Sequence, residues 1–193
     1  MIDRRGLAAD VAIKVTTVAL LLFALARPDL PQFVGKAFQG RAIAYPVALL
    51  ILPIGWRVVG RGRAYPVAAD ILIGLPFLID VVGNALDLYD SVDWWDDANH
   101  LVNWFLHTAA VGLLLRRGAW GPWTRVALAI GWAATTAILW ELAEYLLFIR
   151  RSMELATAYP DTIGDLTLGL LGGTIAAVLV SVGPGTKRGL PPA

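Results

Sequence analysis

The chain has 193 residues, of which 58% are hydrophobic, and a mean hydropathy of +0.65, far too apolar for an ordinary soluble domain of this length. It has no cysteine, so disulfides, thiolate metal sites and cysteine nucleophiles are excluded. The net charge of +1 is spread without a basic arm or patch, so nucleic acid is not an expected partner.

A bilayer core about 30 Å thick needs roughly 20 apolar residues per helical crossing. Six runs meet this requirement in chain order, at 7–26, 42–60, 65–87, 98–116, 124–149 and 161–182. The expected architecture is an all-α, polytopic six-transmembrane-helix bundle over residues 1–182. The glycine, proline and charge of "GPGTKRGLPPA" make 183–193 an expected disordered cytoplasmic tail. The first run is expected to be a true helix and not a cleaved signal peptide. Asp10 and Lys14 interrupt it, and no small-residue cleavage site follows.

With a cytoplasmic N-terminus, Arg4, Arg5, Arg57, Arg61, Arg63, Arg116, Arg117, Arg125, Lys187 and Arg188 fall on the inner side. Arg27, Lys36, Arg41, Arg150 and Arg151 fall on the outer side, so ten basic residues against five place both termini in the cytoplasm of a plasma (inner) membrane. Trp56, Trp120 and Trp123 then lie at the inner interface and Trp94 and Trp95 at the outer. Ala-Tyr-Pro recurs at 44–46, 64–66 and 158–160. Proline is tolerated in a first helical turn and tyrosine suits an interface, so each copy is expected to mark a helix start and not an internal duplication.

The ionisable residues are not scattered. The stretch "DLYDSVDWWDDANHLVNWFLH", residues 87–107, holds five of the fifteen acidic side chains and both histidines. Asp80, Asn84 and Asp87 follow helical spacing at the outer end of the third run, as do His100, Asn103 and His107 in the fourth. The fifth run carries Glu141 and Glu144 in "WELAEY", and the sixth opens with Asp161 and Asp165 in "DTIGDLTLG". At 1.5 Å per residue, Glu144 lies ~9 Å and Glu141 ~14 Å inward of Arg150, and His107 ~10 Å below His100. Four helices thus bring carboxylates and imidazoles to one depth in the outer third of the membrane.

Charges at that depth are costly unless they pair, face the bundle interior or line a wet cavity. Since the arginines are expected at the rim and the inner ends, either the carboxylates carry protons or a cation holds them together. Asp97 and His100 stand one turn apart, a spacing that helical bundles use for metal ligands. With Glu141, Glu144, Asp161 and Asp165 they form an oxygen-rich set suited to Mg, Mn, Ca or Zn. His107 and Glu144 are the candidate general acid or base, and Asp80, Asn84 and Asn103 the candidate substrate contacts. Against this, Asp90, Asp93 and Asp96 suit a solvated loop, and Asp161 a helix cap. A buried His107 bonded to a backbone carbonyl, and Asn84 and Asn103 as helix glue, are the plain alternatives. Asp70 belongs to no cluster. Gly169, Gly172 and Gly173 suit close packing inside the bundle.

Three segments, "WDDANHLVNW" (95–104), "WELAEY" (140–145) and "DTIGDLTLGLLGG" (161–173), resemble the signature segments of the YjdF-like uncharacterised inner-membrane proteins, and more loosely those of the VanZ-like proteins linked to glycopeptide resistance. The resemblance maps Asp96 or Asp97, His100, Glu141, Asp161 and Asp165 onto the shared positions. It implies a six-span membrane protein with an acidic site and implies no reaction. "LTLGLLGG" departs from the YjdF-like pattern, which tends to continue with further acidic residues.

Three functions compete. A metal-dependent hydrolase or transferase acting on a lipid or lipid-linked headgroup requires a cavity open sideways to lipid. An ion- or proton-coupled transporter prefers a midplane site, discontinuous helices and an inverted repeat. A non-catalytic scaffold or partner subunit requires every buried carboxylate to be matched by a donor.

Overall fold

The computed structural model describes residues 4–60, 62–147 and 149–182; the expected tail at 183–193 lies outside them. Among the described residues the chain is all helical: α1 (Arg4–Ala26), α2 (Phe38–Val59), α3 (Val67–Ala85), a short α4 (Leu88–Ser91), α5 (Trp95–Leu115), α6 (Pro122–Leu147) and α7 (Ala158–Ser181), with 3-10 turns at Pro31–Phe33, Ile149–Arg151 and Met153–Ala156. The six long helices alternate in direction. One end of the bundle gathers the connections rich in carboxylates, and the other gathers Arg57, Arg63, Arg116 and Arg117. These are called the acidic and basic ends below.

Among the described residues five helices, α1, α2, α3, α6 and α7, are long and apolar enough to cross a membrane. Helix α5 has 21 residues, but its first four turns carry Asp96, Asp97, His100, Asn103 and His107. It runs through the middle of the bundle, packed on α3, α6 and α7, while α1 lies along α3 and α2 rests on α1 and α3. Val11, Val15, Leu22, Ile43, Val47, Ile54, Leu139 and Leu179 point outward, as an apolar solvent around the bundle requires.

Small residues set the helix spacing. Where lipid is as apolar as the core, helices associate by close packing and not by hydrophobic burial. A Cβ on Gly172 would stand 2.1 Å from the Leu101 carbonyl oxygen, and one on Gly173 2.5 Å from the Ala133 Cβ. These glycines let α7 seat against α5 and α6 inside the bundle. Along α6 the buried stripe Ala129, Ala133, Ala137, Glu141 advances four residues at a time. On α7, Asp165 begins the stripe that continues through Gly169, Gly173 and Ala177. Both carboxylates therefore extend tightly packed seams and are buried by the same geometry.

Four expectations need correction. Helix α2 begins at Phe38, so Ala44-Tyr45-Pro46 lies inside it and Tyr45 is buried at 2% exposure. Arg41 does not stop the helix at a rim, because its side chain turns inward to Asp80. Asp87 leaves the Asp80–Asn84 face, because α3 ends at Ala85 and Asp87 adopts a left-handed conformation (φ 60°) that turns the chain into α4. Asp70 is not isolated but bonded to Lys14 and Tyr65.

Candidate functional site

At the acidic end, α5, α6 and α7 converge on His100, 7% exposed. Its Nε2 faces Asp165 Oδ1 at 3.5 Å and Asp96 Oδ1 at 3.8 Å, and its Nδ1 faces Glu141 Oε1 at 3.9 Å. That Nδ1 is buried with no hydrogen-bond partner. Two groups result that are compact enough to hold an ion, Asp96–His100–Asp165 and His100–Glu141–Glu144, each with ligand atoms within 4.8 Å of one another. The imidazole is common to both and presents one nitrogen to each.

Of the residues singled out in the sequence, the structure brings His100, Glu141, Glu144 and Asp165 together. Asp96, one turn before His100 in the first turn of α5, joins them. Asp97 and Asp161 are exposed and stand outside both groups. Asp97 is three residues from His100 and Asp96 four, so helical spacing admits either, and the packing of α7 selects Asp96.

A cavity of about 400 Å³ adjoins the cluster, between α2 and α3 on one side and α5 and α6 on the other. Asp96, His100, Glu144, Arg41, Asp80 and Tyr89 line its polar part, and Ala44, Trp132, Leu139 and Ala143 line its apolar flank. On this flank Trp132 and Leu139 are 46% and 58% exposed, so the apolar side of the cavity reaches the outer face of α6. His107 sits deeper, flanked by the rings of Phe77 and Trp104 at 5.5 and 5.6 Å. Its ring bonds the Ile73 backbone, and its Nε2 is buried without a partner. Asn103 lines the same wall with its Oδ1 unmatched.

Asp80 differs from these groups because both of its oxygens are engaged. Oδ2 accepts from the Tyr45 hydroxyl at 2.7 Å and pairs with Arg41 Nε at 3.1 Å; Oδ1 accepts from the Tyr89 hydroxyl at 3.1 Å and Asn84 Nδ2 at 3.3 Å. Burial and the neighbouring Asp80 charge push the Tyr89 phenol above its ordinary range, keeping it a donor. Arg41, Tyr45 and Tyr89 were not singled out from the sequence. The four-residue spacing of Arg41 and Tyr45, on one face of an apolar helix, is the signal that points to them.

A bundle of membrane-crossing helices around a buried carboxylate and histidine cluster defines the chain as an integral membrane protein with a polar site inside the bundle. It belongs to the family described as "Predicted membrane protein (DUF2238)", whose model matches residues 9–183. The match agrees with the resemblance to the YjdF-like proteins. No curated protein and no solved structure matches the chain.

Proposed function

We propose that the chain is a metal-dependent hydrolase or transferase of the plasma (inner) membrane, acting on a lipid or lipid-linked headgroup. In this reading α5 is the sixth span, both termini are cytoplasmic, and the acidic end faces the outer leaflet. The observation that carries the reading is the ion-sized cluster around His100 set in the wall of a cavity whose apolar flank includes the exposed Trp132 and Leu139 of α6. An amphiphile fits such a space with its headgroup against Asp96, His100 and Glu144 and its chain along Ala44, Leu139 and Ala143.

The ion, one of Mg, Mn, Ca or Zn, belongs on the Nε2 side of His100, where Asp96 and Asp165 approach most closely. A ligating histidine commonly donates its other N–H to a carboxylate that fixes the ring. Glu141, beside Nδ1, suits that role. A divalent ion held there supplies polarisation of a phosphoryl or acyl oxygen and activation of water. Glu144 faces the cavity from one turn along α6 and is placed to move the proton, with His107 as the deeper alternative. Asp80, Asn84 and Asn103 shape the substrate end, Asn103 through its unmatched oxygen and the other two through the Arg41 network.

The scaffold reading requires matched carboxylates, and Asp80 meets that requirement. In the cluster around His100, Thr162 matches Glu141, but four carboxylates crowd one imidazole whose Nδ1 has no partner. The test is metal analysis of the detergent-purified protein beside Glu141→Gln and Asp165→Asn, followed by a panel of lipid-phosphate and lipid-ester substrates. Stoichiometric metal that falls in both variants supports the reading. A metal-free wild type with both variants folded overturns it.

A further inference from the structure

At the basic end, α1 and α3 bury a second set of ionisable groups that takes no part in the reading above. Asp10 and Asp70 are 3% and 0% exposed. Lys14 Nζ donates to Asp10 Oδ2 at 2.8 Å and also bonds Asp70 Oδ2, which accepts from the Tyr65 hydroxyl as well. The second oxygen of each carboxylate, Asp10 Oδ1 and Asp70 Oδ1, is buried without a partner. Two carboxylates share one ammonium. One negative charge and two acceptors are left unmatched in a low-dielectric interior, where both are costly.

A single proton removes the excess charge and turns one carboxyl oxygen from acceptor into donor. Placed on one carboxyl, it cancels the excess charge and becomes a donor to the other carboxyl, which lies within hydrogen-bonding reach. A metal ion does not serve as well. Lys14 already occupies the position between the carboxylates, and two free oxygens fall short of the roughly six that hard cations require. The surroundings are polar only toward the basic end. Tyr65 comes from the α2–α3 connection, and Trp56 of α2 stands edge-on to it with ring centroids 6.4 Å apart. Arg117, just past α5, donates to the Ala64 carbonyl at 2.7 Å and lies over Trp56 at 5.2 Å. On the other side Thr17 spends its hydroxyl on the Ile13 carbonyl, and Gly74 packs against Ile13 and Leu49.

We propose that Asp10 and Asp70 form a proton-binding site, with one proton shared between the two carboxyl groups across the α1–α3 seam and exchanged from the basic end past Tyr65 and Lys14. The proton ties α1 to α3, and its loss leaves the seam holding an uncompensated charge. The site is independent of the metal reading, because it uses other helices and the opposite end of the bundle.

Infrared spectroscopy of the full-length protein in detergent tests this through the carbonyl stretch of protonated carboxylic acid. Asp10→Asn and Asp70→Asn each leave one carboxylate facing one lysine, so each is expected to lose one acid group relative to wild type. Lys14→Met leaves two carboxylates without a cation and is expected to gain one. Opposite changes in the two kinds of variant support the shared proton. An unchanged acid band in both aspartate variants overturns it. Should the substitutions prevent folding, wild-type protein labelled with carboxyl-13C aspartate remains decisive, since absence of any isotope-shifted acid band also overturns the proposal.

Discussion

His100 turns its buried Nδ1 toward Glu141 Oε1, 3.9 Å away, and that nitrogen has no other partner. The pair joins α5 to α6 and sets which way the imidazole presents its second nitrogen. If Glu141 orients the ring and Asp165 ligates, the two substitutions differ in degree. Glu141→Gln is expected to weaken metal binding by about 10–100-fold, the range for partners that orient a ligand. Asp165→Asn is expected to abolish stoichiometric binding. Titration of metal into metal-stripped protein gives the comparison, and equal losses in both would assign Glu141 to direct ligation.

The apolar flank of the cavity predicts an occupant with a chain. Ala44→Trp or Ala143→Trp fills the apolar flank while leaving the carboxylates around His100 untouched. Mass spectrometry of purified protein should show less co-purifying lipid in both variants and an unchanged metal content. Undiminished lipid would mean that the flank does not admit one.

Around Asp80 the expected effect is on stability. Arg41→Met leaves a buried carboxylate without its cation and should cost about 3 kcal/mol. Tyr45→Phe and Tyr89→Phe each remove one donor of several and should cost about 1 kcal/mol. Thermal unfolding in detergent ranks the three. Equal losses would argue against a network centred on the ion pair.

Two glycines of α7 form a matched pair. Gly172→Ala drives a methyl group to 2.1 Å from the Leu101 carbonyl oxygen, which is backbone and cannot swing away, so a loss of about 3 kcal/mol or more is expected. A Cβ on Gly164 meets nothing within 4 Å, and Gly164→Ala should stabilise the helix by up to about 1 kcal/mol. Unfolding midpoints moving in opposite directions would show that contact, and not helix propensity, governs the α5–α7 seam.

Glu154 lies between α6 and α7 at the acidic end, where burial first and the charge of Asp161 second hold its carboxyl above the ordinary value of 4.5. A raised acid binds its proton more tightly in the folded state. Its contribution is therefore most favourable below 4.5 and declines as pH rises through the folded value. Glu154→Gln should flatten that part of the stability profile, with a change of about 0.5 kcal/mol or less at neutral pH, since burial is partial and solvent screens the rest of the side chain. Unfolding midpoints across the acid range check the sign.

The helices were legible because a bilayer enforces long apolar runs, and the carboxylates of α6 and α7 because they interrupt such runs. What the sequence hid is what depends on partners far along the chain. Asp70 finds Lys14 56 residues away, and nothing near Asp70 announces it. Arg41 reads as a rim residue until Asp80, from another helix, draws it inward. The choice between Asp96 and Asp97 turns on α7, which local spacing does not contain. Tyr45 and Tyr65 suit an interface by composition, yet both spend their hydroxyls on aspartates of α3.

Those two tyrosines belong to the first two copies of Ala-Tyr-Pro, which both continue as Val-Ala, and they bond α3 at Asp80 and Asp70, positions ten residues or ~15 Å apart along its axis. A helix held at one point can pivot or screw about it. Held at two, by Tyr45 of α2 at Asp80 and by Lys14 of α1 at Asp70, it is fixed in both rotation and translation, since a slip of one turn would carry both aspartates ~5.4 Å from these partners. Because Tyr45 and Arg41 of α2 hold Asp80 and Lys14 of α1 holds Asp70, helices α1, α2 and α3 form one wall of the cavity, and any breathing that admits a ligand falls to α6.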